Sequence, residues 1–199
     1  GKDYPQVEEG RNFANKLWNA SRFRQMQGTT DGINELPEVD KLSIYDIDIL
    51  QKLDSLNDEL SAGYSSYKFQ EIANRLYDFF WSQFCDWYLE SIKLCLRNDA
   101  DQSRKKTVLA VVDTILSGYL IQLHPYMPHI TEELWEKLGF GKDGELLMQR
   151  ILPHEKMLDK YDRDLVLQAG QRTNAIHEAT TKARHIKAPV SYTHLRAHE

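Results

Sequence analysis

One basic stretch contains the side chains best suited to bind a charged ligand. Residues 11–24 read RNFANKLWNASRFR and include four cations and no acid, in a chain of 199 residues with a formal net charge of −5. On a helix at about 100° per residue, Phe13, Leu17 and Ala20 share one side. A polar arc of about 140° lies opposite, with Trp18 and Phe23 near its edges. We define this polar arc as Arg11, Asn12, Asn15, Lys16, Asn19 and Arg22.

The polar arc has the chemistry of a surface that binds phosphates and unpaired bases. Cations attract phosphates, amides hydrogen-bond to base edges, and aromatic rings stack on splayed bases. The same pattern also occurs on the solvent-facing side of an ordinary bundle helix. Charge and periodicity alone favour that simpler interpretation, so the rest of the chain must decide.

Composition is that of an ordinary globular protein and argues against several classes. Charged residues make up 28% and aromatic residues 11% of the chain, as in typical soluble domains. No apolar run approaches the roughly 20 residues of a membrane span, and no secretory signal opens the sequence. Cys85 and Cys95 fall on one predicted helix about 15 Å apart, too far for a disulfide. We therefore expect a cytoplasmic protein with no membrane association, and a monomer.

Charge is segregated along the chain. Residues 31–60 contain nine acids and two lysines. A net acidic chain does not coat nucleic acid non-specifically, because that binding depends on broad positive charge. A local basic surface remains compatible with a specific binder.

Apolar periodicity predicts an all-α fold, a bundle of about five to six helices. Ser43 is a candidate N-cap, and dense aromatics make the third helix the expected centre of the bundle. Arg104, Lys105 and Lys106 are interpreted as solubilising. The predicted helices span about residues 5–27, 43–63, 65–98, 102–123, 128–138 and 159–184.

Three parts are predicted along the chain. Residues 1–152 form the helical bundle, and residues 153–189 form a connector and a polar C-terminal helix. Residues 190–199 follow Pro189 without periodicity and resemble a translated cloning adaptor, so we interpret them as a non-native tail. The opening at Gly1 indicates a piece of a longer protein.

No catalytic or metal-binding pattern is recognisable. No Glu-x-x-His pair, zinc-type cysteine pair, glycine-rich phosphate loop or G-x-S-x-G turn occurs. We therefore predict no catalytic residues, no metal and no cofactor in this stretch.

Three segments together resemble a known family. NFANKLWNASRF (Asn12–Phe23), YDFFWSQFCDWYLE (Tyr77–Glu90) and LHPYMPHITEELWEKL (Leu123–Leu138) are similar, in this order, to the anticodon-binding domain of class I aminoacyl-tRNA synthetases. The valine, isoleucine and leucine enzymes share these features, and the spellings NKLWNASRF and FCDWYLE favour valyl-tRNA synthetase. The resemblance covers about residues 6–152, and more weakly the region to Pro189.

The resemblance implies a helical domain that grips the anticodon stem-loop of tRNA(Val) beside a catalytic domain of the same parent chain. ATP and the HIGH- and KMSKS-type motifs belong to that catalytic domain, so this stretch should be inactive alone. Arg11, Lys16 and Arg22 would contact phosphates, and Asn15 and Asn19 would contact base edges. The full set of expected RNA-binding residues is Arg11, Asn12, Asn15, Lys16, Asn19, Arg22 and Phe23, with Trp18 as a second stacking candidate. Arg172, Lys182 and Arg184 are a possible secondary RNA contact.

Smaller roles and alternatives complete the expectations. Asp86, Trp87 and Tyr88 are interpreted mainly as packing residues. The turn at residues 124–128 is interpreted as structural, with Glu132 and Glu133 capping the helix that follows. One alternative is the same module of an isoleucyl- or leucyl-tRNA synthetase. Another is a helical protein-interaction domain whose acidic residues 31–60 bind a basic partner.

Overall fold

The chain folds into a helical bundle, as predicted. The computed structural model describes residues 5–28, 35–97, 99–141, 144–149, 156–159 and 161–195, with the backbone alone from residue 185 onward. Within these ranges there is no β-strand. The α-helices are α1 (Pro5–Gln25), α2 (Ile44–Ser65), α3 (Phe69–Asp78), α4 (Leu89–Ile92), α5 (Gln102–Leu123), α6 (Pro128–Leu138) and α7 (Arg163–Leu195).

Helix α2 begins where its capping residues predict. The Ser43 side chain accepts a hydrogen bond from the Asp46 N–H, and the Asp46 carboxylate accepts one from the Ser43 N–H at 2.7 Å. This reciprocal capping box satisfies two donors at the start of the helix. The stripe Ile49, Leu53, Leu56 and Leu60 then turns inward to the core.

The predicted third helix is not one regular helix. Residues 66–68 form a turn in which Tyr67 has a φ of 56°, and helix α3 starts only after it. A π-helical segment (Phe79–Tyr88) follows α3, then α4 and a 3₁₀ turn (Lys93–Leu96). The wider turn of the π-helix accompanies the closely spaced bulky rings, and Phe80, Phe84 and Tyr88 are almost fully buried. The aromatic run is therefore the bundle centre, but the single-helix prediction was wrong.

Helix α5 crosses the middle of the bundle. It is long and apolar enough to span a membrane by length and composition, and 72% of that apolar window is buried inside the protein. Val108, Val111, Ile115 and Leu116 are fully enclosed. Burial against neighbouring helices accounts for the apolar composition of α5.

The turn before α6 is structural, but the predicted acidic cap is absent. His124 Nδ1 lies 2.8 Å from the Thr131 hydroxyl, which fixes the turn. Glu132 instead accepts the Leu147 N–H at 2.6 Å, and Glu133 pairs with Lys137. Helix α6 begins at Pro128, so both acids lie beyond the first turn and cannot cap it.

The last helix is longer than predicted. Helix α7 continues to Leu195, past both the predicted end near Arg184 and Pro189. A proline removes one backbone donor and strains the preceding turn. A long helix can nevertheless continue through a proline, usually with a kink. Residues 190–195 are thus helical, and residues 196–199 lie outside the described ranges. The interpretation of residues 190–199 as a non-native tail stays a prediction.

Candidate nucleic-acid interface

Helix α1 is held to the bundle by the apolar side that the sequence predicts. Phe13, Leu17 and Ala20 are 6%, 0% and 8% exposed. The Phe13 ring stacks on Tyr77, with ring centroids 5.2 Å apart, and meets Phe80 edge-on at 5.8 Å. These contacts, with α1 packed on α5, α6 and the π-helical segment, fix which side of α1 faces solvent.

The polar arc faces solvent, with one exception. Its five exposed members are Arg11, Asn12, Asn15, Asn19 and Arg22. They extend along three turns of α1, about 16 Å of helix axis. The structure therefore brings the predicted donors and amides onto one accessible surface.

Lys16 is the exception, because it is held by the neighbouring π-helical segment. Its Nζ donates to Asp86 Oδ1 at 2.7 Å and lies 4.6 Å from the centroid of the Trp81 ring. A cation over an indole face and against a carboxylate is fixed in position. Lys16 is thus a positioned charge with a counter-ion, and not a freely mobile one.

Arg24 does not belong to the exposed basic surface. Its guanidinium donates to both carboxylate oxygens of Asp113, at 2.5 and 2.8 Å, and to the Gly28 carbonyl at 3.0 Å. The side chains of Arg24 and Asp113 are 5% and 0% exposed. Helical spacing already contained this signal, since Arg24 follows Ala20 by four residues and Leu17 by seven on the buried side.

The positive charge of the interface is therefore smaller than the sequence indicates. Arg11 pairs with Glu8 at 3.2 Å in an exposed contact, and Lys16 pairs with Asp86. Among the described residues, Arg22 has no ion-pair partner. Three cations and these two carboxylates leave a net charge of +1, so the surface offers amides and aromatic rings more than it offers charge.

The two aromatic residues beside the polar arc differ in exposure. Trp18 is 39% exposed, with Lys137 Nζ 5.9 Å from its ring centroid. Phe23 is half-buried and packs against the core. Gln25 donates to the Lys137 carbonyl at 2.6 Å and ties the end of α1 to the end of α6. Trp18 is accordingly the more available stacking surface.

The possible secondary contact lies on another part of the bundle. Arg172, Lys182 and Arg184 are all exposed on α7, and Lys182 faces Glu178 at 3.9 Å. At about 100° per residue, the three side chains point in widely different directions around the helix. Helix α7 packs against α2, whereas α1 packs against α5, α6 and the π-helical segment. These three residues thus do not form one surface with the polar arc.

The Asp86, Trp87 and Tyr88 motif has two different roles. Tyr88 is buried and donates its hydroxyl to Asp46 at 2.7 Å, and Trp87 contacts Tyr45 and His177, as expected of packing residues. Asp86 instead is exposed beside α1. Sequence reasoning missed it as a surface residue, because Asp86, Trp87 and Tyr88 were interpreted together as packing residues.

The acidic segment is mostly neutralised by the fold. Asp46 meets Arg104 at 2.6 Å, Asp48 meets Lys52, and Asp58 meets Lys156. Arg104 therefore has a structural role and was wrongly interpreted as solubilising. Asp46 and Asp48 are also buried, as is Asp54, and Asp31 lies outside the described ranges. Helix α2 therefore does not present a row of unpaired acids to a basic partner.

Comparison with known proteins identifies the family. The family described as "Anticodon-binding domain of tRNA ligase" matches residues 46–192. The chain belongs to this family. The match begins at α2, so α1 must be placed through individual relatives.

Those relatives are valine–tRNA ligases. The chain is 41% identical to the valine–tRNA ligase of Prochlorococcus marinus strain SARG over 180 residues, which is 85% of the chain and 19% of the relative. It is 39% identical to that of Oceanobacillus iheyensis over 189 residues, 94% of the chain and 21% of the relative. The second match covers 94% of the chain, so fewer residues lie outside it than the 21 residues of α1. Most of α1 is therefore aligned with this relative. The chain spans about a fifth of the length of these curated relatives.

Proposed function

We propose that the chain binds the anticodon stem-loop of tRNA(Val) through the polar arc of α1, as part of a valine–tRNA ligase. The observation that carries the proposal is the exposed row of cations and amides on α1, within a chain of the anticodon-binding family. The names of the relatives support valine over isoleucine or leucine. The paired acids of α2 give no support to a protein-interaction domain.

Each group in the interface has a distinct task. Arg11 and Arg22 contact backbone phosphates, which contribute affinity without sequence information. Asn15 and Asn19 hydrogen-bond to the edges of unpaired bases, since an amide both donates and accepts. Trp18 stacks on a base at one edge of the polar arc, and Phe23 lies near the opposite edge. Among these groups, only the amides contact base edges, because a ring stacks on any base.

The chain positions tRNA and makes no bond. Valine activation, ATP binding and aminoacyl transfer take place in the catalytic part of the parent enzyme, which we place in the cytoplasm and expect to be a monomer. The isolated chain should accordingly give no ATP–pyrophosphate exchange while still binding the stem-loop. Measurable exchange by the chain alone would contradict this division of labour.

Charge reversal of the two phosphate contacts tests the proposal. Arg11→Glu/Arg22→Glu should weaken binding of the tRNA(Val) stem-loop several-fold or more without loss of helicity. The slope of log affinity against log salt should fall by roughly 1.4, because each lost phosphate contact on a single strand removes about 0.7. Fluorescence anisotropy at two salt concentrations measures both quantities.

A matched control separates the interface from general charge. Arg97→Glu/Lys106→Glu makes the same change in net charge at two exposed positions away from α1, and Arg97 has a local acid partner as Arg11 does. This control should bind as the wild type. Equal loss in both double variants, or no loss in either, would refute the assignment of the polar arc. Competition between tRNA(Val) and tRNA(Ile) tests the valine assignment.

A further inference from the structure

Asp86 lies at a position where an acid is unfavourable for RNA binding. Its side chain is 54% exposed and is in contact with Lys16, a member of the polar arc. A carboxylate on a surface that binds a polyanion lowers affinity through like-charge repulsion. Asp86 does not hold the π-helical segment in the core, because that segment is anchored by Phe80, Phe84 and Tyr88.

The carboxylate of Asp86 has one oxygen engaged and one available. Oδ1 accepts the hydrogen bond from Lys16 at 2.7 Å. Oδ2 has no hydrogen-bond partner among the described residues, and the exposed side chain leaves it accessible from solvent. Lys16, held over the Trp81 ring, orients the Asp86 carboxylate beside the polar arc.

An ionised carboxylate accepts hydrogen bonds and cannot donate them. It therefore accepts a hydrogen bond from an exocyclic amine such as adenine N6 or cytosine N4. It repels a keto oxygen at the same position, such as uracil O4 where cytosine carries N4. The asparagines of the polar arc lack this selectivity, because an amide offers both a donor and an acceptor. An Asp86 carboxylate that repels the wrong base increases specificity. This gain in specificity explains why the lower affinity for RNA is tolerated.

We propose that Asp86 is a specificity-determining residue that accepts a hydrogen bond from the exocyclic amine of an unpaired anticodon base. The assignment rests on the proposed function of the polar arc. Valine codons begin with G and U, so the two anticodon bases fixed by the code are adenine and cytosine, and both carry such an amine. Isoleucine codons replace that cytosine with uracil, which presents a keto oxygen instead.

Removal of a single amine tests the proposal directly. Stem-loops carry pyrimidin-2-one riboside in place of the anticodon cytidine, or purine riboside in place of the adenosine, and each is titrated against the wild-type 199-residue chain and Asp86→Asn. For the wild type, loss of the recognised amine should weaken binding by about tenfold. In Asp86→Asn that dependence should shrink to less than about twofold, because the amide turns to present its donor as readily as its acceptor.

Controls separate this role from simple neutralisation of Lys16. Asp58→Asn removes a matched exposed carboxylate, also paired with a lysine, on α2, and should keep the wild-type dependence on the amine. Asp86→Ala should raise the slope of log affinity against log salt, since Lys16 is released, while it loses the preference for the amine-bearing loop.

The outcomes are distinct. If the wild type and Asp86→Asn depend equally on the amine at both positions, or if neither depends on it, Asp86 does not read a base. A uniform rise in affinity of Asp86→Ala for every loop, with unchanged discrimination, would show a counter-ion alone and overturn the proposal. Absence of salt-sensitive binding by the wild type would overturn the proposed function itself, and this assignment with it.

Discussion

The buried ion pair between Arg24 and Asp113 should dominate the stability of the α1–α5 junction. Three hydrogen bonds converge on a guanidinium that is 5% exposed, facing a carboxylate that is 0% exposed. Asp113→Leu leaves a guanidinium that cannot deprotonate, buried without its counter-ion. Breaking a buried pair from one side costs about 3–5 kcal/mol, which for a chain of this size lowers the melting temperature by roughly 6–20 °C.

Arg24→Met should behave differently because a carboxyl can take up a proton. Burial already raises the pKa of Asp113, and Arg24 is the group that opposes this rise. Without Arg24 the pKa of Asp113 rises further in the folded state. A carboxyl with a raised folded pKa stabilises the protein at low pH and loses that contribution as the pH rises through it. Stability of Arg24→Met, relative to wild type, should thus decline from about pH 4 toward neutrality.

The double variant Arg24→Met/Asp113→Leu provides the decisive comparison. Replacing both members of a buried pair with apolar side chains is often neutral or stabilising, although the Gly28 carbonyl loses a partner worth about 1 kcal/mol. The double variant should therefore be more stable than Asp113→Leu by at least about 2 kcal/mol. Urea and thermal unfolding followed by far-UV circular dichroism measure this. Single variants that each cost less than about 1 kcal/mol, or a flat pH dependence for Arg24→Met, would refute the reasoning.

Two further outcomes follow from the packing. Burial raises the pKa of the Cys85 thiol to about 12. Iodoacetamide should therefore modify the less buried Cys95 first and leave Cys85 unmodified in the folded chain near neutral pH. Mass spectrometry measures the order of modification, and equal labelling of both cysteines would contradict the burial of Cys85. Gly141→Ala should destabilise the chain by about 1–3 kcal/mol, because a Cβ there overlaps the Glu145 carbonyl oxygen; urea unfolding that matches the wild type would contradict this close approach.

Local signals made much of the fold predictable. Apolar stripes with a helical period and clear end signals located α2, α5 and α6, as the capping box at Ser43 shows. The centre of the bundle was harder, because periodicity analysis assumes 3.6 residues per turn. The run from Phe79 to Tyr88 is π-helical. No local residue preference predicts this change in the number of residues per turn. The continuation of α7 past Pro189 likewise depends on a context that local rules do not contain.

The candidate site was predictable as a pattern but not as an electrostatic surface. Helical spacing correctly separated Phe13 and Leu17 from the polar side of α1. The partners of its cations lie 70 and 89 residues away in the chain, at Asp86 and Asp113. Pairings at that separation arise from tertiary packing and leave no mark in a local window. A count of charges from the sequence therefore overestimates the positive charge of α1.

The same long-range pairing makes a net acidic chain compatible with the RNA-binding face proposed for α1. The acids of α2 are not spread over the surface as a repulsive field, because cations from α5 and from residues 156–159 neutralise Asp46 and Asp58. Asp54 is engaged by the backbone N–H groups of Met157 and Leu158. Exposed charges more than about 10 Å apart are screened at physiological salt, so the groups beside α1 mainly determine the electrostatic field that a ligand of the polar arc would meet. There the local charge is only weakly positive, so the proposed recognition would depend on amides, rings and Asp86 more than on phosphate attraction.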